Sequence, residues 1–276
     1  VRVAVVGHVE WIEFVHGDHV PAAGEIVHAR DSFEEPAGGG AVAAVQLARL
    51  AGSATFLTAL GQDELARRTR ARLAELGVTV DDATREGATR RGLTFLDSDG
   101  ERTIITIGDR LSPRRRDPLD WDGLGRADGV YLTAGDAEAL HAARAAGVLV
   151  ASPRVGRVLH EAGVRLDALV YSDNDELEVA FARAIDPPPT LLVATRGAEG
   201  GRYEAAHGRS GRWAAAPLTG PIADSYGAGD SFAAALTFAL ADGRDPDEAL
   251  ALAARAGATC LTGRGPYEKQ LTADAL

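Results

Sequence analysis

From Gly129 onward the chain repeats one short pattern, in which a continuous apolar segment is followed by an amphipathic run and then by another apolar segment. The apolar segments are Val130-Tyr131-Leu132-Thr133, Val148-Leu149-Val150-Ala151, Ala168-Leu169-Val170-Tyr171 and Leu191-Leu192-Val193-Ala194, with helices predicted between them around 136–146, 154–162 and 175–184. Strands without a polar face need cover on both sides, and strand–helix–strand repeats join parallel neighbours. This predicts an α/β fold with a doubly covered, mostly parallel central sheet. The same rhythm begins earlier, with a strand over Val3 to Val6 ended by Gly7, a helix from Ala41 to Leu50 opened by Gly38-Gly39-Gly40, a strand from Ser53 to Leu60, and a helix from Glu64 to Leu76 stopped by Gly77. Ligands of such sheets bind beyond the carboxyl ends of the strands. That singles out Asp173-Asn174-Asp175-Glu176 and Thr195-Arg196-Gly197-Ala198-Glu199-Gly200, which follow the third and fourth apolar segments.

Two stretches break the rhythm. The first, His8 to Val15, alternates polar and apolar residues as a half-exposed strand does, and a further extended piece is predicted through Ile26, Val27 and His28. In the second, Gly92 to Asp97 and Arg102 to Ile107 flank Ser98-Asp99-Gly100-Glu101, whose Asp-Gly is a hairpin signal. Together these insertions, roughly 8–35 and 88–109, predict a small β-sheet lid on a single domain spanning 1–276.

The formal net charge is −11, which argues against nucleic acid as a partner and for small-molecule work. A single cysteine, Cys260, excludes an intrachain disulfide, suits a reducing cytoplasm and is expected to be buried. No stretch approaches membrane-spanning length, and the apolar N-terminus is too short for a signal peptide, so a cytoplasmic protein with no membrane contact is predicted. Lys269 is the only lysine and follows Glu268, so neither a P-loop nor a protein-kinase ATP lysine is present. His16 and His19 lie in a Gly-Asp turn and read as surface residues rather than metal ligands.

Against that background Asp224-Ser225-Tyr226-Gly227-Ala228-Gly229-Asp230 stands out, because its glycines directly precede an alanine-rich helical run from Ser231 to Leu240. Unpaired N–H groups and the positive end of the helix dipole converge there, and glycines let an anion reach the main chain. An acid in that turn can take the proton from a hydroxyl during phosphoryl transfer, or simply cap the helix.

The heptad closely resembles the C-terminal signature of the ribokinase-like, or PfkB, carbohydrate kinases. The likeness extends over nearly the whole chain, including lid strands, Gly-Gly before a helix, and the Thr-x-Gly-x-x-Gly element at Thr195, Gly197 and Gly200. It implies transfer of the γ-phosphoryl of ATP, with Mg²⁺, to a hydroxyl of a sugar or nucleoside, in a protein that forms a homodimer through the lid. Asp230 would be the catalytic base, and Gly227, Ala228 and Gly229 would form the anion hole. Thr195, Gly197 and Gly200 would line the ATP site, and Gly38 and Gly39 the acceptor site. Glu176, with Asp173 in the place of the usual asparagine, would order Mg²⁺, and Asp224, with Gly265 nearby, would help hold a monovalent cation such as K⁺.

The chain also departs from the family pattern. Val42 stands where an asparagine is frequent, Ile12 where an acceptor-binding aspartate is usual, and Ala253 where an asparagine often adjoins adenine. Glu10 and Glu13 bracket Ile12, and either can accept hydrogen bonds from substrate hydroxyls, with Trp11 offering a flat face to a ring. The alternative for Glu10 and Trp11 is two opposite faces of a lid strand. These departures also leave room for a non-catalytic member that binds nucleotide or sugar as a sensor. A nicotinamide dehydrogenase is disfavoured because the first βα turn lacks its glycine fingerprint.

Overall fold

In β1 (Val3–Val6), Val3 and Val5 enter one apolar layer while Ala4 and Val6 enter another on the opposite side. That two-sided burial is what continuous apolar strands require, and it organises the whole molecule. The structure is a computed structural model describing residues 1–98, 102–206 and 208–276. β2 (Glu10–His16) and β3 (Asp31–Ala37) precede α1 (Gly39–Ala51), β4 (Ala54–Leu60), α2 (Glu64–Glu75) and β5 (Val78–Thr84). β6 (Arg91–Leu96) and β7 (Arg102–Ile107) follow. Next come β8 (Gly129–Leu132), α3 (Ala137–Ala143), β9 (Val148–Ala151), α4 (Gly156–Ala162), β10 (Ala168–Ser172), α5 (Glu176–Ala184) and β11 (Leu191–Thr195). The chain closes with β12 (Gly201–Ala205), β13 (Ser210–Trp213), α6 (Ala228–Ala241) and α7 (Pro246–Leu261).

The nine-stranded sheet runs β13-β12-β11-β10-β9-β8-β1-β4-β5 and is parallel from β5 to β11, with β12 and β13 added antiparallel at one edge. Residues of α1, α2, α6 and α7 pack in one apolar layer, and those of α3, α4 and α5 in the other. The chain leaves β1 in one direction toward β4, while β8 lies on the other side of β1, so the order reverses between β1 and β8. Loops diverge at such a switch point and leave a crevice at the carboxyl ends of the strands.

A separate four-stranded sheet has the order β3-β2-β6-β7, with β2 parallel to β6 and the other pairs antiparallel. The third extended piece is not at Ile26-Val27-His28, which form no strand; it is β3, whose register pairs Glu10 with Ala37 and His16 with Asp31. Charge-rich and ending in Pro36-Ala37, β3 sits at a sheet edge, where polar residues and proline are tolerated. The Asp-Gly hairpin turn falls at 99–101, outside the described residues. β2 is also less exposed than its alternation predicts, because Trp11 and Phe14 are both buried and only Glu13 is fully open. β5, β12 and β13 carry weaker apolar patterns and add to the predicted strands. Asp245 caps α7 through the amides of Asp247 and Glu248, Cys260 is buried, and no helix among the described residues is long and apolar enough to cross a membrane.

Candidate active site

Two helices point uncapped N-termini at the crevice. Gly38 precedes α1 with φ 87° and Gly227 precedes α6 with φ 84°, and neither start has a side-chain cap. The first amides of each helix therefore lack intrahelical acceptors and present positive potential together. Tyr226 ties the two tips: the Gly38 amide donates to its hydroxyl at 3.0 Å, and the ring is buried. A Cβ on Gly229 would meet nothing within 4 Å, so this tip is open to a ligand.

Asp230 lies in the first turn of α6, its side chain 14% exposed. Gly39 adjoins it so closely that a Cβ there would sit 2.9 Å from Oδ1 of Asp230. The structure thus brings Asp230, Gly227, Ala228, Gly229, Gly38 and Gly39 into one place. Arg154, in the turn between β9 and α4, reaches Asp230 at 3.5 Å and Glu178 at 3.9 Å. Both distances exceed a strong hydrogen bond, and the negative charge of Asp230 is the main reason that Arg154 holds its proton more firmly than usual.

The wall of the crevice beside Asp230 is built from the carboxyl ends of β1, β8 and β9. His8 Nδ1, Thr133 Oγ1 and Ser152 Oγ are buried there without a hydrogen-bond partner among the described residues. Glu10 is buried, accepts a bond from Arg90 at 2.9 Å and lies 3.8 Å from His8. Burial raises the Glu10 pKa, opposed by Arg90 and Arg110. His8 is pushed down to about 3, first by burial and then by Arg110, Arg154 and Arg90, so it is neutral.

Glu13 and Trp11 do not share this place. Side chains alternate along a strand, so Glu10, Ile12 and Phe14 face one way and Trp11 and Glu13 the other. Glu13 is exposed, and the flat face of Trp11 is already covered by Arg68, 4.2 Å from the ring centre. Ile12 is fully buried, and its Cδ1 would lie 2.5 Å from a Cβ on Gly92. Phe14 instead stacks on Phe33 at 4.8 Å and meets Tyr226 edge-on at 5.0 Å, which joins the small sheet to the tip of α6.

Asp173 and Glu176, the acids assigned to Mg²⁺, lie together in a cavity that Asp230 does not line. Asp173 pairs with Arg202 at 2.9 Å and Arg196 at 2.9 Å, and the Arg202 bond is the chief cause holding its carboxyl below the usual range. Glu176 shares with Asp173 a cavity of about 600 Å³ whose rim also carries Arg183, Arg196, Arg202 and Arg212. Two residues along a helix turn the side chain by about 200°, so Glu178 faces the other way from Glu176. It is Glu178 that touches Arg154 and accepts the Ser172 amide at 2.8 Å. Asp175 caps α5 through the amides of Leu177 and Glu178. The sequence signal was available: His8 and Arg154 lie in the loops that leave the carboxyl ends of β1 and β9, and Glu178 lies three residues after the cap.

Thr195 ends β11 and donates to the Tyr171 carbonyl at 3.2 Å. Gly197 is exposed with free space around it, while a Cβ on Gly200 would sit 2.1 Å from the Trp213 carbonyl oxygen. Trp213 in turn stacks on Phe232 of α6 at 5.8 Å, so this loop is packed toward the helix that carries Asp230. Ala253 is fully buried in the core and faces no ligand space. Asp224 is fully buried, accepts the amides of Tyr226 at 2.7 Å and Gly265 at 3.1 Å, and has its pKa raised mainly by burial.

The sequence matches the pfkB family carbohydrate kinase description over residues 2–273. A curated relative from Halopiger xanaduensis named ATP-dependent ribose-1-phosphate kinase is 26% identical over 294 residues, covering 100% of this chain and 97% of the relative. A Klebsiella pneumoniae fructokinase is 28% identical over 280 residues, covering 86% and 90%. Among solved structures, ribokinase from Thermotoga maritima superposes with a TM-score of 0.81 at 20% identity, covering 99% of this chain and 97% of that one. Arabidopsis thaliana ribokinase complexed with ribose and ATP gives 0.78 at 19% identity, covering 99% and 96%.

Proposed function

This chain belongs to the pfkB family of carbohydrate kinases, and from that membership we propose that it transfers the γ-phosphoryl group of ATP to a hydroxyl of a small sugar or nucleoside, with Asp230 as base. The observation that carries this reading is the open tip of α6, where unpaired amides and one carboxylate stand beside a second uncapped helix tip. Asp230 takes the proton of the acceptor hydroxyl. The acceptor oxygen forms the new bond to phosphorus as the bond to the bridging oxygen of ADP breaks. The amides of Ala228 to Asp230 stabilise the charge on the transferring phosphoryl oxygens, and Gly38 and Gly39 let the acceptor approach the base. Thr195, Gly197 and Gly200 border the nucleotide. The small sheet acts as a lid that excludes water, linked to the helix tip through Phe14 and Tyr226.

Among the described residues there is no set of three ligating side chains that could cage a metal. One carboxylate, Glu178, close to Arg154 and facing the crevice, suits Mg²⁺ that enters on the ATP phosphates and is held through water. That ion would neutralise phosphate charge. Asp224, a buried carboxylate with no ion pair among the described residues, fits the counter-charge of a monovalent cation. Both sheet-edge exposure and apolar surface on β7 support a homodimer through the lid, and the protein is expected to work in the cytoplasm.

The test is Asp230→Asn, measured by ADP formation over a panel of sugars and nucleosides and by ATP-induced thermal stabilisation. Stabilisation should persist and turnover should fall by about 10²–10⁴-fold. Undiminished turnover removes Asp230 from the mechanism, and a wild-type chain that binds ATP and sugar without forming ADP is a binder.

A further inference from the structure

Three arginines from separate parts of the chain converge on the acceptor side of Asp230. Arg91 pairs with Ile107 across the β6–β7 ladder, so Arg90 and Arg110 emerge at the same end of that hairpin. The Trp11 amide donates to the Arg90 carbonyl at 2.9 Å, which sets this end beside the start of β2 and Glu10. Arg154 arrives from the end of β9 on the other side.

Their carboxylate partners are unevenly shared. Arg90 is neutralised by Glu10 at 2.9 Å, yet its Nε is buried with no acceptor among the described residues. Arg154 has Asp230 at 3.5 Å and Glu178 at 3.9 Å. Arg110 makes no hydrogen bond or ion pair among the described residues, although it acts on both His8 and Glu10. His8, the remaining titratable neighbour, is neutral. The Arg110 proton is held less firmly than usual, through burial and repulsion from Arg90 and Arg154 only partly offset by Glu10. The pocket therefore keeps one guanidinium, that of Arg110, with no carboxylate bound to it, beside Glu10 and His8. A neutral sugar can bond to Glu10 and His8 but leaves Arg110 uncompensated. A phosphate monoester supplies the missing acceptor and matches the planar fork of arginine.

Resting on the kinase reading above, we propose that the acceptor is a sugar that already carries a phosphate monoester, gripped by Arg90 and Arg110 while its free hydroxyl faces Asp230. The product would then be a sugar bisphosphate, and the reaction that supplies the substrate must be one that forms a sugar monophosphate.

The experiment compares kcat/KM, by ADP formation with ATP and Mg²⁺, for ribose, fructose and adenosine against ribose 1-phosphate, ribose 5-phosphate, fructose 1-phosphate, fructose 6-phosphate and gluconate. At least one phosphate ester should exceed its unphosphorylated parent by about 100-fold, within what one or two charge-assisted bonds provide. Arg110→Ala should reduce that ratio by about 10–100-fold, and Arg110→Lys should restore part of it. A best acceptor that is neutral, with a ratio that Arg110→Ala does not move, overturns the proposal and leaves the kinase reading standing. Preference for gluconate overturns it in favour of a carboxylate. Failure of every acceptor to yield ADP overturns the kinase reading itself.

Discussion

The backbone of Gly39 and the carboxylate of Asp230 come so near that a methyl group on Gly39 would lie 2.9 Å from Oδ1. The tip of α1 thus bounds the space in which the proposed base, Asp230, can sit. Because the contact is with the far end of a side chain, Gly39→Ala should turn the carboxylate rather than disrupt the fold. Misplacing a catalytic group by about 1 Å can cost about 100-fold in rate. The expected result is a kcat lowered by about that factor with the melting temperature nearly unchanged. A variant with full kcat would show that the position of Asp230 is not rate-determining.

Glu178 and Glu176 offer a direct comparison within one helix. Glu178→Gln should reduce turnover by about 10–100-fold and raise the Mg²⁺ concentration needed, as loss of an outer-sphere metal partner does. Glu176→Gln should remain close to wild type, since Glu176 faces the arginine-lined cavity instead. Mg²⁺ titrations of both variants decide the matter, and the reverse pattern would return the metal role to Glu176.

His8 links the acceptor pocket to the pH dependence of stability. Its pKa is lowered from 6.5 to about 3 in the folded protein, so between those values the unfolded chain binds a proton that the native one does not. Native stability therefore falls as pH falls through this window, by up to about 1.4 kcal/mol per pH unit for one proton. His8→Gln removes that contribution. Urea unfolding at neutral and mildly acidic pH should show the gap between wild type and variant narrowing on acidification. A constant gap would mean that His8 accepts a proton in the native state.

β7 is the outer strand of the small sheet, and Ile105 and Ile107 on it are 56% and 47% exposed. An open edge with apolar side chains invites pairing. Ile105→Asp should convert a dimer to a monomer in light scattering coupled to size exclusion, with the monomer's turnover reporting whether the lid needs its partner. A wild-type protein that runs as a monomer would rule out this interface.

The covered parallel sheet was legible in the chain's order of residues, because unbroken apolar strands separated by amphipathic runs need cover on both faces. The sequence by itself also determined the glycine-rich tip with Asp230, since glycines before an alanine-rich helix leave amides free wherever the helix is placed. What it could not decide was orientation. Glu10 and Glu13 are equivalent acids until strand parity sends one into the pocket and the other to solvent. Glu176 and Glu178 are equivalent until the cap at Asp175 fixes which side of α5 meets Arg154. Arg90, Arg110 and Arg154 belong to no motif and lie far apart in the chain. Folding closes a hairpin against β2 and brings the loop after β9 to α6, which gathers them near Asp230, because electrostatic fields depend on distance through space and not on separation in sequence.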